Sequence, residues 1–184
     1  MEISRQYLTG KFRVSFPSLF TPSEYDGVLK YEVTALISKS DGQTMEEIEK
    51  AMAEAAKARW GDNIPEYRSP VKDGDQKFTT DGKPYAGYPG HWYIKMTSRR
   101  APGVIDVHKQ DILDSNDIYG GCYGRAIFQA GAYGGKGERY SPGVSIYLKH
   151  FQKLADGEPF GSKTSAKDDF PDLPADFGVD DLPF

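Results

Sequence analysis

Residues 119–133 read Y-G-G-C-Y-G-R-A-I-F-Q-A-G-A-Y. The glycines in this strand-like run predict a strand that bends and bulges, because a residue without a Cβ marks bulges, tight barrel corners and close backbone approaches. A strand of this kind closes a small barrel. Tyr123, Arg125 and Tyr133 fall on its outward face.

The neighbouring segments supply the other strands. After it, residues 134–143 form a Gly-rich hairpin loop carrying Lys136, Arg139 and Tyr140, and residues 144–151 return with Val144, Ile146 and Leu148 inward and Ser145, Tyr147 and Lys149 outward. Before it, residues 91–98 alternate, with Trp92, Ile94 and Met96 inward and Tyr93, Lys95 and Thr97 outward. Arg99 and Arg100 stand at the exit of that strand, and residues 104–107 add a short one. Farther upstream, G-K-F-R-V-S-F at 10–16 places Phe12, Val14 and Phe16 on one face and Lys11, Arg13 and Ser15 on the other. This strict period of two is a half-buried strand. Pro17 and Pro22 are expected to break it. Residues 31–38 form the next strand, with Tyr31, Val33, Ala35 and Ile37 on one side and a mixed second face of Glu32, Thr34 and Leu36.

Thr44-Met45-Glu46-Glu47 reads as a capping box with Thr44 as N-cap, opening a helix to about Trp60 that Gly61 ends. Ile48, Met52, Ala55, Ala56 and Arg59 form its packing stripe. Residues 62–90, rich in Gly, Pro, Asp and Lys, are a long connection whose Lys72, Lys77, Lys83, Tyr85 and Tyr88 are placed to form a flap. The fold class is mainly β: an OB-fold-like barrel of about five strands with one α-helix, a β-sandwich being the alternative.

The chain of 184 residues has room for one ordinary domain and an appendage. Its net charge of -4 hides an asymmetry: residues 1–154 carry 21 basic and 19 acidic side chains, or +2, and residues 155–184 carry 2 and 8, or -6. The divisions follow: a barrel domain at 1–154, a linker at 155–167 and an acidic tail at 168–184. The lone Cys122 excludes a disulfide framework and fits a reducing compartment. The first ten residues contain no signal-like apolar run and no stretch has the length of a membrane span, so a soluble, cytoplasmic chain with no membrane partner is expected.

The outward positions repeat one chemistry: Lys11 and Arg13, then Tyr93 and Lys95, then Tyr123, Arg125 and Tyr133, then Tyr147 and Lys149. Single-stranded nucleic acid needs cations along its phosphates and flat rings under its unpaired bases. Arg99, Arg100, Lys136, Arg139 and Tyr140 flank the same face from loops. The plainer alternative is that Tyr and Lys decorate exposed strands, as β-propensity favours.

An active site is harder to find. G-A-Y-G-G-K-G at 131–137 fails as a phosphate loop, because Lys136 is followed by Gly137 instead of Ser or Thr. His91, His108 and His150 lack metal-ligand spacing, so neither a metal nor a cofactor is expected. Asp106, Asp111, Asp114 and Asp117 offer the one basis for a divalent-metal nuclease, and a solvated turn cluster explains them better.

The tail, D-D-F-P-D-L-P-A-D-F-G-V-D-D-L-P-F, has six Asp, no Lys or Arg, three Pro and scattered apolar residues. It cannot bury a core and is expected to be disordered until it binds. Its ending has the form of a ligand, with carboxylates for a basic rim and Phe184 for an apolar pocket. The D-D-L-P-F ending resembles the acidic, aromatic-terminated tails of bacterial and bacteriophage single-stranded-DNA-binding proteins. The whole chain resembles the phage-encoded OB-fold members of that class through its G-K-F-R-V-S-F strand, its Y-G-R-A-I-F-Q segment and this tail. The resemblance implies non-catalytic, largely sequence-independent binding of single-stranded DNA in replication and recombination, in the host cytoplasm. It also implies that Asp180, Asp181, Leu182, Pro183 and Phe184 recruit replication or recombination proteins and that the tail competes for the DNA groove. The helix departs from the standard OB order, which places it between the third and fourth strands. An adaptor protein that uses the tail but ignores DNA is the rival reading, and a homo-oligomer stays open.

Overall fold

Each stretch in which apolar and polar residues alternate forms a strand, and the strands close into a ring. The computed structural model describes residues 2–161, 170–173, 175 and 178. In chain order the strands and helix are β1 (Glu2–Ile3), β2 (Tyr7–Leu8), β3 (Phe12–Tyr25), β4 (Val28–Ser38), α1 (Gly42–Trp60), β5 (Val71–Asp73), β6 (His91–Ser98), β7 (Gly103–Ile105), β8 (Tyr123–Tyr133) and β9 (Gly143–Ala155). β3, β4, β6, β9 and β8 pair in that order, and β8 returns to β3. The β6–β9 pair is parallel and the other ring pairs are antiparallel. This closed five-strand ring is an OB-like barrel, and closure rules out two separate facing sheets. β1 and β2 continue the edge of β8 beyond its short pairing with β3.

The closing strand behaves as its glycines predict, with one difference. The extra residues at its two register shifts lie on the partner: Lys149 and Leu154 of β9 have no opposite number on β8. Gly124 is needed for close approach, since a Cβ there would lie 2.2 Å from Cζ of Phe151. Phe151 fills the barrel interior with Phe12 and Phe128, each such buried side chain contributing about 1.5–3 kcal/mol.

α1 follows the second ring strand. It is built from strong helix formers, and Ile48, Ala51, Met52, Ala55, Ala56 and Trp60 bury into the barrel core. Its N-cap is Asp41 and not Thr44: Asp41 Oδ1 accepts from Thr44 N at 3.1 Å. The Thr44 hydroxyl is taken up by Gly10 N–H at 3.0 Å, a long-range contact that ties the helix to the start of β3. Arg59 faces Glu138 at the stripe's edge, and Ala51 and Trp60 complete the stripe.

The prolines do not end β3. The strand runs to Tyr25, and its register against β4 shifts between Ser15 and Ser18 and again between Ser18 and Ser23. Pro17 and Pro22 lie in these irregular stretches, where no ladder N–H is required. At the first shift Phe16 leaves the inner face and joins Ser15 on the outer one, where Tyr88 covers Ser15. Phe16, expected inward, is 60% exposed, and Ser15, expected outward, is 2% exposed.

Candidate nucleic-acid interface

Where β3 meets β8, Arg13 stands opposite Tyr123. Lys11 Nζ lies 5.3 Å and the Arg13 guanidinium 5.8 Å from the Tyr123 ring, within cation–π range. Arg13 is aimed by backbone: Nε donates to the Gly121 carbonyl at 3.1 Å and Nη2 to the Glu158 carbonyl at 2.7 Å. The ring of Phe160 packs 4.3 Å from the same guanidinium. Residues 156–161 are thus laid back over the start of β3 as a strap, and Phe160 N–H donates to Gly120 O at 2.9 Å. Gly87, at φ +84, makes room for the ring, since a Cβ there would lie 2.3 Å from Phe160 Cζ. Lys11, Arg13, Leu36 and Tyr123 line a cleft of about 260 Å³ at this end.

The outer face of β4 and β6 continues from there. Leu36 pairs with Tyr93, Thr34 with Lys95 and Glu32 with Thr97, and β5 sets Lys72 beside Tyr93. Lys95 Nζ is 2.8 Å from Glu32 Oε2. Residues 74–90 fold over this face as a flap that brings the expected Lys77, Tyr85 and Tyr88, clasped by Lys39, whose Nζ lies 2.7 Å from Asp73 and 2.5 Å from Asp75. The hydrogen bonds to Asp73 and Asp75 raise the pKa of Lys39 and lower those of both carboxyls. Tyr88, on the inner side of the flap, is buried, its hydroxyl 3.0 Å from that of Ser15, and burial pushes its pKa up.

The flap assembles a file of four rings. Phe16 meets Tyr85 at 6.1 Å, Tyr85 meets Tyr88 at 5.5 Å and Tyr88 meets Tyr93 at 5.2 Å. Lys77 Nζ stands 5.2 Å from Tyr85 and 5.9 Å from Tyr93. Rings and cations together line a cleft of about 420 Å³ with Lys72 and Lys95 on its rim.

Arg99, Tyr147 and Lys149 meet on a third surface, a cleft of about 390 Å³ shared with Lys30 and Gln129. Tyr147 stands opposite Thr97 of β6 and Gln129 of β8, and burial raises the pKa of its phenol. The remaining predicted residues are spread out. Arg125 donates to Gln152 Oε1 at 2.7 Å, and Arg100 is exposed beyond the end of β6. The Tyr133 ring covers Gly143. Lys136, Arg139 and Tyr140 lie on the β8–β9 hairpin loop, which Glu138 ties to Arg59 of α1. Sequence reasoning missed Phe16, Lys30, Leu36 and Phe160. Of these only Phe16 carried a local signal, its position before a proline.

Of the aspartates considered for metal binding, Asp106 and Asp114 cap turns. Asp106 Oδ1 accepts from His108 and Gln110 N–H, and Asp114 Oδ1 accepts from Asn116 N–H. Among the described residues no three His, Cys, Asp or Glu converge as metal ligands. No helix among them is long and apolar enough to cross a membrane.

The sequence family described as "Enterobacter phage Enc34, ssDNA-binding protein" matches residues 5–180. The chain belongs to this family. The chain is 30% identical over 169 residues to putative protein p50 of Acyrthosiphon pisum secondary endosymbiont phage 1, with 88% of this chain and 90% of that one covered. Its fold is similar to that of the single-stranded DNA-binding protein from bacteriophage Enc34 in complex with ssDNA, with a TM-score of 0.72, 24% identity and coverage of 85% and 89%. It is also similar in fold to gp2.5, a single-stranded DNA binding protein encoded by bacteriophage T7, with a TM-score of 0.57, 16% identity and coverage of 96% and 98%. Membership in the Enc34-type family places the chain with non-catalytic single-stranded-DNA-binding proteins. The family match stops at 180, short of Asp181, Leu182, Pro183 and Phe184. Those four and Asp180, the predicted recruiting motif, lie outside the described residues.

Proposed function

We propose that the chain binds single-stranded DNA, with little regard to sequence, along the outer face of β3, β4 and β6 and under the flap. The observation that carries this reading is the file Phe16–Tyr85–Tyr88–Tyr93 with Lys77 beside it and Lys11 and Arg13 at one end. Rings accept any base by its flat face, at about 1–3 kcal/mol per stacked base. Cations follow the phosphates and release counterions. Lys95 is neutralised by Glu32, which leaves Lys11, Arg13, Lys72 and Lys77. Contact with about four phosphates gives a slope of log affinity against log salt near -3.

The tail at 168–184 is assigned two roles: recruitment of replication or recombination proteins through Asp180 to Phe184, and competition with DNA for the basic face. The strap supports the second role, because it leads the chain away from the β3 end of that face, within reach of Lys11 and Arg13.

The test is fluorescence anisotropy of labelled oligo-dT with the full chain and with a chain stopped after Lys167, at two salt concentrations, against duplex competitor. The expected result is single-strand preference, weakening with salt, and tighter binding by the shortened chain. Equal binding by both chains would remove the competitive role. Absence of binding would overturn the DNA reading and favour the adaptor.

A further inference from the structure

Phe16 is held in a conformation that its own chemistry opposes. Its φ is +44, a region that side chains with a Cβ avoid. The proline that follows it independently disfavours helical conformations at this position. Continued alternation would turn Phe16 inward, since Val14 lies in the core and Ser15 faces outward beside Thr34. Instead Phe16 joins Ser15 on the outer side of the strand: Ser15 is covered there by Tyr88, whose hydroxyl it meets, and the Phe16 ring is presented to solvent. A strained backbone that exposes a large apolar ring points to a use for that ring.

The surroundings indicate the use. Two clefts adjoin Phe16, one of about 420 Å³ and one of about 380 Å³, both above the roughly 300 Å³ at which small-molecule sites begin. Phe16, Tyr85 and Tyr88 belong to both linings and form the wall between them. The larger cleft offers Tyr93 for stacking and Lys72 and Lys77 for phosphate. The smaller offers the Phe160 ring and no charged side chain. A base seated in each would have the wall, with the Phe16 ring in it, between them.

We propose that Phe16 is a wedge that parts two neighbouring bases of a bound strand, sending one into the Tyr93 cleft and the other into the Phe160 cleft. The proposal rests on the single-strand reading above and adds its source of specificity. Two bases divided by a ring cannot remain stacked and paired, so duplex is refused at this step.

The experiment uses the full chain and oligonucleotides carrying two adjacent 2-aminopurines, whose fluorescence rises on unstacking. Phe16→Gly is the informative variant, because glycine accepts φ +44 and removes the ring. Its melting temperature should equal or exceed that of the parent. Its affinity for single strands should fall by about ten-fold, the loss of one stacked base, with the fluorescence rise abolished and the preference over duplex narrowed. Phe16→Tyr should restore all three. A Phe16→Gly chain that keeps the fluorescence rise and the duplex discrimination would overturn the wedge while leaving single-strand binding in place. A parent chain that binds no single strand would overturn the binding reading itself, and the wedge with it.

Discussion

Replacing Phe160 by Ala tests whether the strap belongs to the binding platform or competes with the ligand. The ring does two things in the free protein: it packs 4.3 Å from the Arg13 guanidinium and it walls the smaller cleft beside Phe16. The contact with Arg13 exists with or without DNA, so only its change on binding reaches the affinity. The wall is different, because it offers a stacking face to a bound base. Such a face is worth about 1–3 kcal/mol, and since the Phe16 side of the cleft survives the substitution, the lower part of that range applies. A loss of about 1–2 kcal/mol is a dissociation constant raised about five- to thirty-fold. Phe160→Tyr keeps the face and should bind as the parent does. The assay is anisotropy with oligo-dT in the chain stopped after Lys167, which retains the strap and removes the acidic tail. Tighter binding by Phe160→Ala would refute the argument, because the ring would then occupy a place that a base needs. Unchanged binding would refute it as well.

Three further outcomes follow from the geometry. Gly124→Ala sets a Cβ 2.2 Å from Phe151 Cζ and 2.9 Å from the Gln152 carbonyl, and overpacking of this kind should lower stability by about 1–3 kcal/mol, read as a fall in melting temperature. The Lys39 clasp should give an acid-labile flap. The Asp73 and Asp75 pKa values are depressed in the fold, so their contribution is complete above the ordinary aspartate range and is lost as pH falls through the lower folded values. Lys39, with its raised pKa, contributes below the ordinary lysine range and ceases to do so as pH rises through its folded value. Trp92 lies 4.7 Å from Lys39 Nζ, so its fluorescence should change with the clasp at acid pH, and Lys39→Gln should flatten that change. Cys122 is buried, and burial raises its thiol pKa. A thiol reagent should leave it unmodified in the native chain and react at a rate set by unfolding.

The ring strands and the helix were legible because each announces itself locally. Period-two alternation names β6, β9 and the start of β3, glycines in an apolar run name β8, and good helix formers followed by Gly61 name α1. What was not legible depends on residues far apart in the chain. Ser15, facing outward, is buried because a tyrosine 73 residues later covers it, and Arg13 is aimed by a carbonyl 145 residues away. Thr44 looked like a cap and serves Gly10. The outward residues separate for a similar reason: a closed barrel has no single outer face, so period two places Tyr93 and Tyr147 outward without saying that they line different clefts. The flap lysines and tyrosines could be named in the sequence, and the ring file they complete could not, since it requires the inversion at Phe16.

The burial of β4 explains why the proposed interface lies where it does. From Val33 to Ile37 every residue is buried, Leu36 to 1% exposure, so this strand is covered on both faces, the apolar inner one and the mixed outer one. The inner cover is the barrel core, a large apolar cluster continuous with α1. The outer cover is the flap and the strap, fastened by polar contacts: Lys39 to Asp73 and Asp75, Ser15 to Tyr88, Arg13 to the Glu158 carbonyl. Contacts of this kind, several of them at the surface, open at a lower free energy than the core does. The face under them is therefore the part of the barrel most easily uncovered without unfolding, and it is the face that bears the rings. A ligand with flat apolar bases and anionic phosphates can take over both halves of the cover, rings for rings and phosphate for carboxylate. The barrel behind it stays intact.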